Sequence, residues 1–215
     1  MTLYADVFWS FRSPYSYLAT RRYAALVADY DLEVSVRPVY PLAVRQPDFF
    51  ERNHPNWLGY VMRDVFRLAQ HQNIPIGPPN PDPIVQDKAT RKIADDQPYI
   101  YRLTRLGQAA ARRGKSLGFC DEVSRLIWSG MAGWNEGDHL AQAAARAGLS
   151  LTELDADVKA DPQGLDAEIH GNQTALEAAG HWGVPTLVFD GEPFFGQDRV
   201  DLAVWRMEQK GLARR

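Results

Sequence analysis

The segment Leu3-Tyr4-Ala5-Asp6-Val7-Phe8-Trp9-Ser10-Phe11 is almost unbroken in apolar and β-favouring residues. A strand with so little polar face is expected to be buried on both sides, which places it in a sheet with helices packed over it. No other stretch narrows the fold as much. The run stops at Arg12-Ser13-Pro14. Tyr23, Leu26, Val27 and Tyr30 then fall at i, i+3, i+4 and i+7, the spacing of one helix face. Leu32 to Arg37 alternates apolar and polar side chains and reads as a second strand. The chain therefore opens strand, helix, strand.

Its other end has strands as well. Gly183-Val184-Pro185-Thr186-Leu187-Val188-Phe189 reads as a strand, Asp190-Gly191 as a hairpin turn, and Phe194-Phe195 as the start of the return strand. Asp198 is placed to cap a final helix with Val200, Val204 and Met207 on one face and Asp201 in its first turn. Between these ends the pattern is helical. Leu58, Val61, Met62 and Val65 share one face, and Leu140, Ala143, Ala144 and Ala147 share another, with Gly137-Asp138 as a start signal. Ile74 to Pro83 holds five prolines and reads as an extended loop. The expected organisation is α/β: residues 1–42 and 181–215 form one discontinuous domain with a mixed sheet, and 43–180 form a large all-helical insertion.

Composition excludes several classes. Lys plus Arg is 24 and Asp plus Glu is 27, a net charge of −3, without the basic excess of a nucleic-acid binder. No apolar run reaches the roughly 18 residues of a membrane span. The N-terminus lacks a basic segment followed by an apolar one, so a cytoplasmic protein is expected. The single cysteine, Cys120, permits neither an intrachain disulfide nor a CxxC pair and reads as a small buried side chain. His54, His71, His139, His170 and His181 show no metal-ligand spacing, and no metal is expected.

The residues that carry chemistry lie at the strand-to-helix junction and near the C-terminus. Pro14 suits the first helical position because its missing N–H would have no partner there, which makes Ser13 the N-cap. The site is either a plain cap or a place where the serine hydroxyl, the free N–H groups and the helix dipole hold a thiolate. Val184-Pro185 is either an ordinary trans proline at a strand start or a cis bond that presents the Val184 backbone to a peptide-like ligand. In Phe195-Gly196-Gln197-Asp198, Asp198 is either a cap or the acceptor for the ammonium of a bound amino acid, with Gln197 and backbone N–H groups taking its carboxylate. The aromatics Trp9, Tyr15, Tyr40, Trp57 and Tyr60 either fill the core or line an aromatic pocket.

Taken together, Phe8-Trp9-Ser10-Phe11-Arg12-Ser13-Pro14-Tyr15-Ser16-Tyr17-Leu18-Ala19, Gly183-Val184-Pro185-Thr186, Phe195-Gly196-Gln197-Asp198-Arg199 and Tyr60…Asp64…Arg67 resemble the 2-hydroxychromene-2-carboxylate isomerases and kappa-class glutathione transferases. Both have disulfide-oxidoreductase-like thioredoxin folds with a helical insertion, and the resemblance spans the chain. It implies glutathione as cofactor, with Ser13 on the thiolate and Val184 pairing its backbone with the cysteinyl part. It also implies a cis Pro185, and Phe195, Gly196, Gln197 and Asp198 around the γ-glutamyl end. It implies a homodimer, and an isomerase acting on an aromatic carboxylate in ring degradation by reversible thiolate addition. The alternatives are a kappa-type transferase that consumes glutathione and a non-catalytic thioredoxin-like binding module. There are two departures. Trp57 stands where relatives commonly carry a lysine, and Asn53, in Arg52-Asn53-His54-Pro55, is the counterpart of a Gly-Asn pair. Arg45 or Arg52 is then the candidate replacement cation, with Tyr15, Arg45 and Trp57 facing the substrate.

Overall fold

The computed structural model describes residues 2–87, 89–90 and 92–215. Four strands form one mixed sheet: β1 (Leu3–Trp9), β2 (Leu32–Pro38), β3 (Thr186–Phe189) and β4 (Glu192–Phe195). Their order is β2-β1-β3-β4. β1 and β2 are parallel, from Leu3↔Leu32 to Trp9↔Pro38. α1 (Pro14–Asp29) is the crossover between them. β3 runs antiparallel to β1, pairing Val7 with Leu187, and β4 antiparallel to β3. The chain is thus α/β with a thioredoxin-like mixed sheet.

Burial of β1 on both faces holds for its second half. Val7, Phe8 and Trp9 are buried, whereas Tyr4 is exposed and Asp6 is half-buried, paired with Arg37 at 2.9 Å. On one face Trp9 meets Phe11 edge-on at 4.6 Å and Phe11 meets Phe119 at 6.2 Å, inside the main core. On the other, Phe8 packs with Val39 and Leu176. Burying one such side chain stabilises by about 1.5–3 kcal/mol, so a polar residue at position 7, 8 or 9 would unseat a helix layer.

Between β2 and β3 lie eight helices among the described residues: α2 (Leu42–Arg45), α3 (Phe49–Arg52), α4 (Asn56–His71), α5 (Ile100–Arg112), α6 (Ser116–Trp128), α7 (His139–Arg146), α8 (Leu151–Ala160) and α9 (Pro162–Ala178). α5 and α6 bury Leu103, Leu106, Phe119, Val123 and Ile127 in the same core as the sheet. The Trp128 indole N–H donates to the Phe11 carbonyl at 3.1 Å, and Arg12 Nη2 reaches Asp82 Oδ2 at 2.6 Å, tying the loop after β1 to the proline-rich loop. Asn172 of α9 donates to the Pro38 carbonyl at 3.0 Å and accepts from Arg37 Nε at 3.0 Å.

Three expectations are corrected, and one open choice is settled. The return strand starts at Glu192, before Phe194; Pro193 is tolerated there because β4 is an edge strand. Asp198 does not cap the last helix. Gln197–Arg199 forms a 3₁₀ turn, Asp198 Oδ2 accepts from Arg199 Nη1 at 2.6 Å, and Arg199 holds the N-cap position of α10 (Val200–Glu208). Of the Leu58, Val61, Met62 and Val65 face only Val65 is buried, because α4 lies along the rim of a cleft and Leu58 and Met62 stay exposed. Trp9 and Tyr40 belong to the interior: the Trp9 indole donates to the Ser16 carbonyl at 3.2 Å, and the Tyr40 phenol to Asp166 at 2.5 Å.

Candidate active site at the α1 N-terminus and the Val184-Pro185 turn

Ser13 sits in the loop between β1 and α1 with extended backbone (φ −99°, ψ 112°), and Pro14 takes the first helical position. Its Oγ accepts the Ser16 N–H at 3.1 Å, the N-cap bond that the sequence suggests. The same hydroxyl donates to the Val184 carbonyl at 3.2 Å. That carbonyl precedes Pro185, and the Val184-Pro185 bond is cis. The Gly196 N–H fixes the Pro185 carbonyl at 2.9 Å, and Thr186 Oγ1 donates to the Gly183 carbonyl at 2.7 Å. No described residue takes the Val184 N–H. A helix N-terminus, a hydroxyl and an unpaired backbone N–H therefore stand together, and each can serve a peptide thiol.

Beside them opens a cavity of about 380 Å³, lined by Tyr15, Tyr60, Asp64, Leu68, Pro185, Phe195, Gly196, Gln197 and Asp198. Such a volume is in the range of small-molecule sites, about 300–1,000 Å³. α4 supplies Tyr60, Asp64 and Leu68 at i, i+4 and i+8, one helix face. The Tyr15 phenol donates to Asp64 Oδ2 at 2.9 Å. Burial, and after it that bond to Asp64, raise the Tyr15 pKa, so it is a neutral donor and no base. Gln197 is buried; its Oε1 accepts from Gln72 Nε2 at 2.8 Å and its backbone carbonyl from Arg22 at 2.7 Å, which leaves its amide N–H₂ for the cavity.

Asn53, Arg45 and Trp57 lie outside that lining. Asn53 Nδ2 donates to the Phe49 carbonyl at 2.6 Å. Arg45 Nε and Nη2 reach the carbonyls of Tyr40 at 2.7 Å and Trp182 at 3.0 Å, and burial lowers its pKa. Trp57 packs on Phe49 at 5.4 Å and Phe50 at 6.0 Å; Phe49 continues to Trp182 at 5.9 Å. Arg52 pairs with Asp48 at 2.8 Å. The charged side chains of the lining are Asp64 and Asp198. Leu68 joins the lining although no sequence motif singles it out; the i, i+4 step from Tyr60 through Asp64 is the signal that reaches it. Cys120 lies in α6, fully buried, and burial pushes its thiol far up. Among the described residues no His, Cys, Asp and Glu cluster could hold a metal, and no helix is long and apolar enough to cross a membrane.

The DSBA-like thioredoxin domain matches residues 5–207. No curated protein matches the chain in sequence. Among solved structures, a 2-hydroxychromene-2-carboxylate isomerase superposes with a TM-score of 0.71 at 20% identity, over 96% of this chain and 95% of that one. The cytosolic disulfide reductase DsbM from Pseudomonas aeruginosa gives 0.61 at 17%, over 96% and 100%. The same reductase with GSH gives 0.59 at 17% identity, again over 96% and 100%. At these identities the likeness speaks for the fold alone.

Proposed function

The chain belongs to the DSBA-like thioredoxin domain family, and from that premise we propose that it is a glutathione-dependent enzyme whose thiolate site is built on Ser13. The observation that carries this reading is the Ser13 hydroxyl, held between the Ser16 N–H and the Val184 carbonyl beside a cavity of about 380 Å³. Dithiol exchange is disfavoured, because positions 13 and 16 are both serine and the one cysteine is buried in another helix. The GSH complex of DsbM lends support from a protein of the same fold.

The residues present fit glutathione. The Val184 N–H is without a protein partner, Asp198 can take an ammonium group, and the Gln197 amide can donate to a carboxylate. Bound glutathione would supply a sulfur nucleophile that attacks an electrophilic carbon. Ser13 would serve it by a rotation about Cβ–Oγ: the hydroxyl proton leaves the Val184 carbonyl and turns to the sulfur. That frees the carbonyl to accept an N–H of the ligand, so one hydrogen bond is exchanged for two. The Ser16 N–H stays on Oγ throughout and keeps its lone pair occupied. Tyr15, neutral and anchored to Asp64, walls the cavity on the α4 side.

The reaction we favour is isomerisation of an aromatic 2-hydroxychromene-2-carboxylate-type compound, in which glutathione would act as a cofactor and would not be consumed. A kappa-type transfer to an electrophile is the second reading. The charge pattern favours it: Asp64 and Asp198 of the lining are paired by Arg67 at 3.6 Å and Arg199 at 2.6 Å, and Arg45 and Arg52 hold other protein oxygens, so each of these four cations is already engaged and none is left over for a substrate carboxylate. Calorimetric titration with reduced glutathione, followed by thiol counting during turnover of a hydroxychromene carboxylate and of a neutral aryl halide, tests both. Conserved thiol with isomerised product supports the first, and one thiol lost per product the second. No binding at several millimolar glutathione overturns the proposal.

A further inference from the structure

Three residues before Val184, the imidazole of His181 lies against two aromatic rings. It stacks on Phe195 with centroids 4.0 Å apart and planes at 20°, and on Trp182 at 5.6 Å and 11°. Its Nδ1 accepts the Gly183 N–H at 2.9 Å. Gly183 has no room for a side chain: a Cβ there would lie 2.6 Å from Phe195 Cε2 and 3.0 Å from His181 Cε1. Its carbonyl is held by Thr186 at 2.7 Å. Gly183 is thus held at its N–H by His181 and at its C=O by Thr186, one bond on each of its two flanking peptide groups, and the next residue is the one whose backbone faces Ser13.

We propose that His181 is a positioning residue: as a neutral imidazole it locks the Gly183-Val184-Pro185 turn in the orientation that presents the Val184 backbone to the ligand, and protonation of the ring releases that lock. The ligand half of this inference rests on the glutathione reading above. The physical ground is that Nδ1 can accept the Gly183 N–H only while it bears no proton; the imidazolium has two donors and no acceptor, and would set N–H against N–H. Partial burial against the rings also disfavours the charged ring and lowers the His181 pKa below its ordinary value, against a smaller upward pull from the Gly183 backbone. No charged side chain adds to that shift. The groups on the flanking elements are the Leu176 carbonyl of α9, which takes the backbone N–H of His181, and Glu177 of α9, which acts on Arg45 of α2; Arg45 in turn holds the Trp182 carbonyl. The lock is therefore complete above the ordinary histidine range, about 6.5, and opens as pH falls below it.

The test follows the His181 ring, the Gly183 and Val184 amides and ligand affinity from pH 8 to pH 5 on the whole protein. NMR reads the ring and amide shifts. Calorimetry reads binding of S-methylglutathione, a probe with no thiol to titrate. The amides should move with the same midpoint as the ring, and affinity should fall about tenfold across that midpoint. His181→Asn, whose side-chain oxygen can still accept the Gly183 N–H, should keep wild-type affinity at pH 8 and lose the pH dependence. His181→Phe should bind several-fold more weakly at every pH. Amides that ignore the ring's titration, or a pH dependence that survives in His181→Phe, overturn the proposal. Coupled amide and ring titrations in a protein that binds no glutathione analogue at any pH would uphold the lock and overturn only the glutathione reading.

Discussion

Ser13 answers to two neighbours at once, the helix it caps and the turn it faces, and these separate experimentally. Ser13→Ala removes the cap bond from Ser16 and should cost about 1 kcal/mol of stability, read as a lower unfolding midpoint in urea. It also removes the donor for a bound thiolate. A hydrogen bond to a charged group contributes about 1.5–3 kcal/mol, and one pKa unit corresponds to about 1.4 kcal/mol, so the pKa of bound glutathione should rise by about 1–2 units. Thiolate absorbance against pH, in wild type and variant, checks this. Ser13→Thr, which keeps both functions of the hydroxyl, should restore most of each. The cap was legible in the sequence, because Pro14 declares the first helical position. The second bond was not, because Val184 lies 171 residues away.

Among elements, the β3–β4 hairpin and the turn after it carry the far wall of the cavity. Asp190 (φ 52°) and Gly191 (φ 77°) make the tight turn that Asp-Gly announces. Gly196 holds φ 106° and ψ 153°, a region that only glycine enters at low cost, and a Cβ there would lie 2.6 Å from Asp198 Oδ1. Gly196→Ala should therefore cost about 1–3 kcal/mol, roughly 2–4 °C of Tm per kcal/mol for a chain of this size. It should also weaken glutathione binding, because the Gly196 N–H is the anchor of the Pro185 carbonyl. Thermal unfolding and calorimetry on one sample read both effects. The hairpin itself was plain in the sequence. The 3₁₀ turn at Gln197–Arg199 was not: Asp198 looks like a cap by residue type, and it is the neighbouring Arg199 that claims its carboxylate. α4 misled for a related reason. Its apolar spacing shows a face, but not whether that face meets the core or the rim of a cleft.

Across the whole molecule, α5, α8 and α9 are laced by ion pairs: Arg102–Asp155 at 2.7 Å, Arg105–Asp166 at 2.7 Å, and Arg112 with Asp161 and Glu168, both at 2.8 Å. The hydrogen bonds from Arg112 lower the pKa of Asp161 and Glu168, and that from Arg105 lowers the pKa of Asp166. A carboxyl whose pKa is lower folded than unfolded contributes stability above the unfolded value, and loses it as pH falls through the folded one. Stability should hold down to the ordinary carboxyl range, about 4, and then drop as the pH falls further. Added salt should flatten this dependence, because the pairs lie near the surface. Urea midpoints from pH 7 to pH 2.5, at low and high salt, check both statements; a flat profile would mean that packing alone holds these helices.

The sequence alone determined the properties that follow from neighbours along the chain. These are the buried first strand, the helix begun by Ser13-Pro14, the Asp-Gly hairpin and the helical stretch between the two ends. Each is written in local spacing and in backbone preferences that act over a few residues. Tertiary structure decided which local signals meet. It set Val184 across from Ser13, turned one face of α4 toward the cavity, pointed Arg45 at the Tyr40 and Trp182 carbonyls, and stacked His181 on Phe195. Those contacts join residues far apart in the chain, and their energies depend on burial and geometry that exist only once the sheet and its helices have packed.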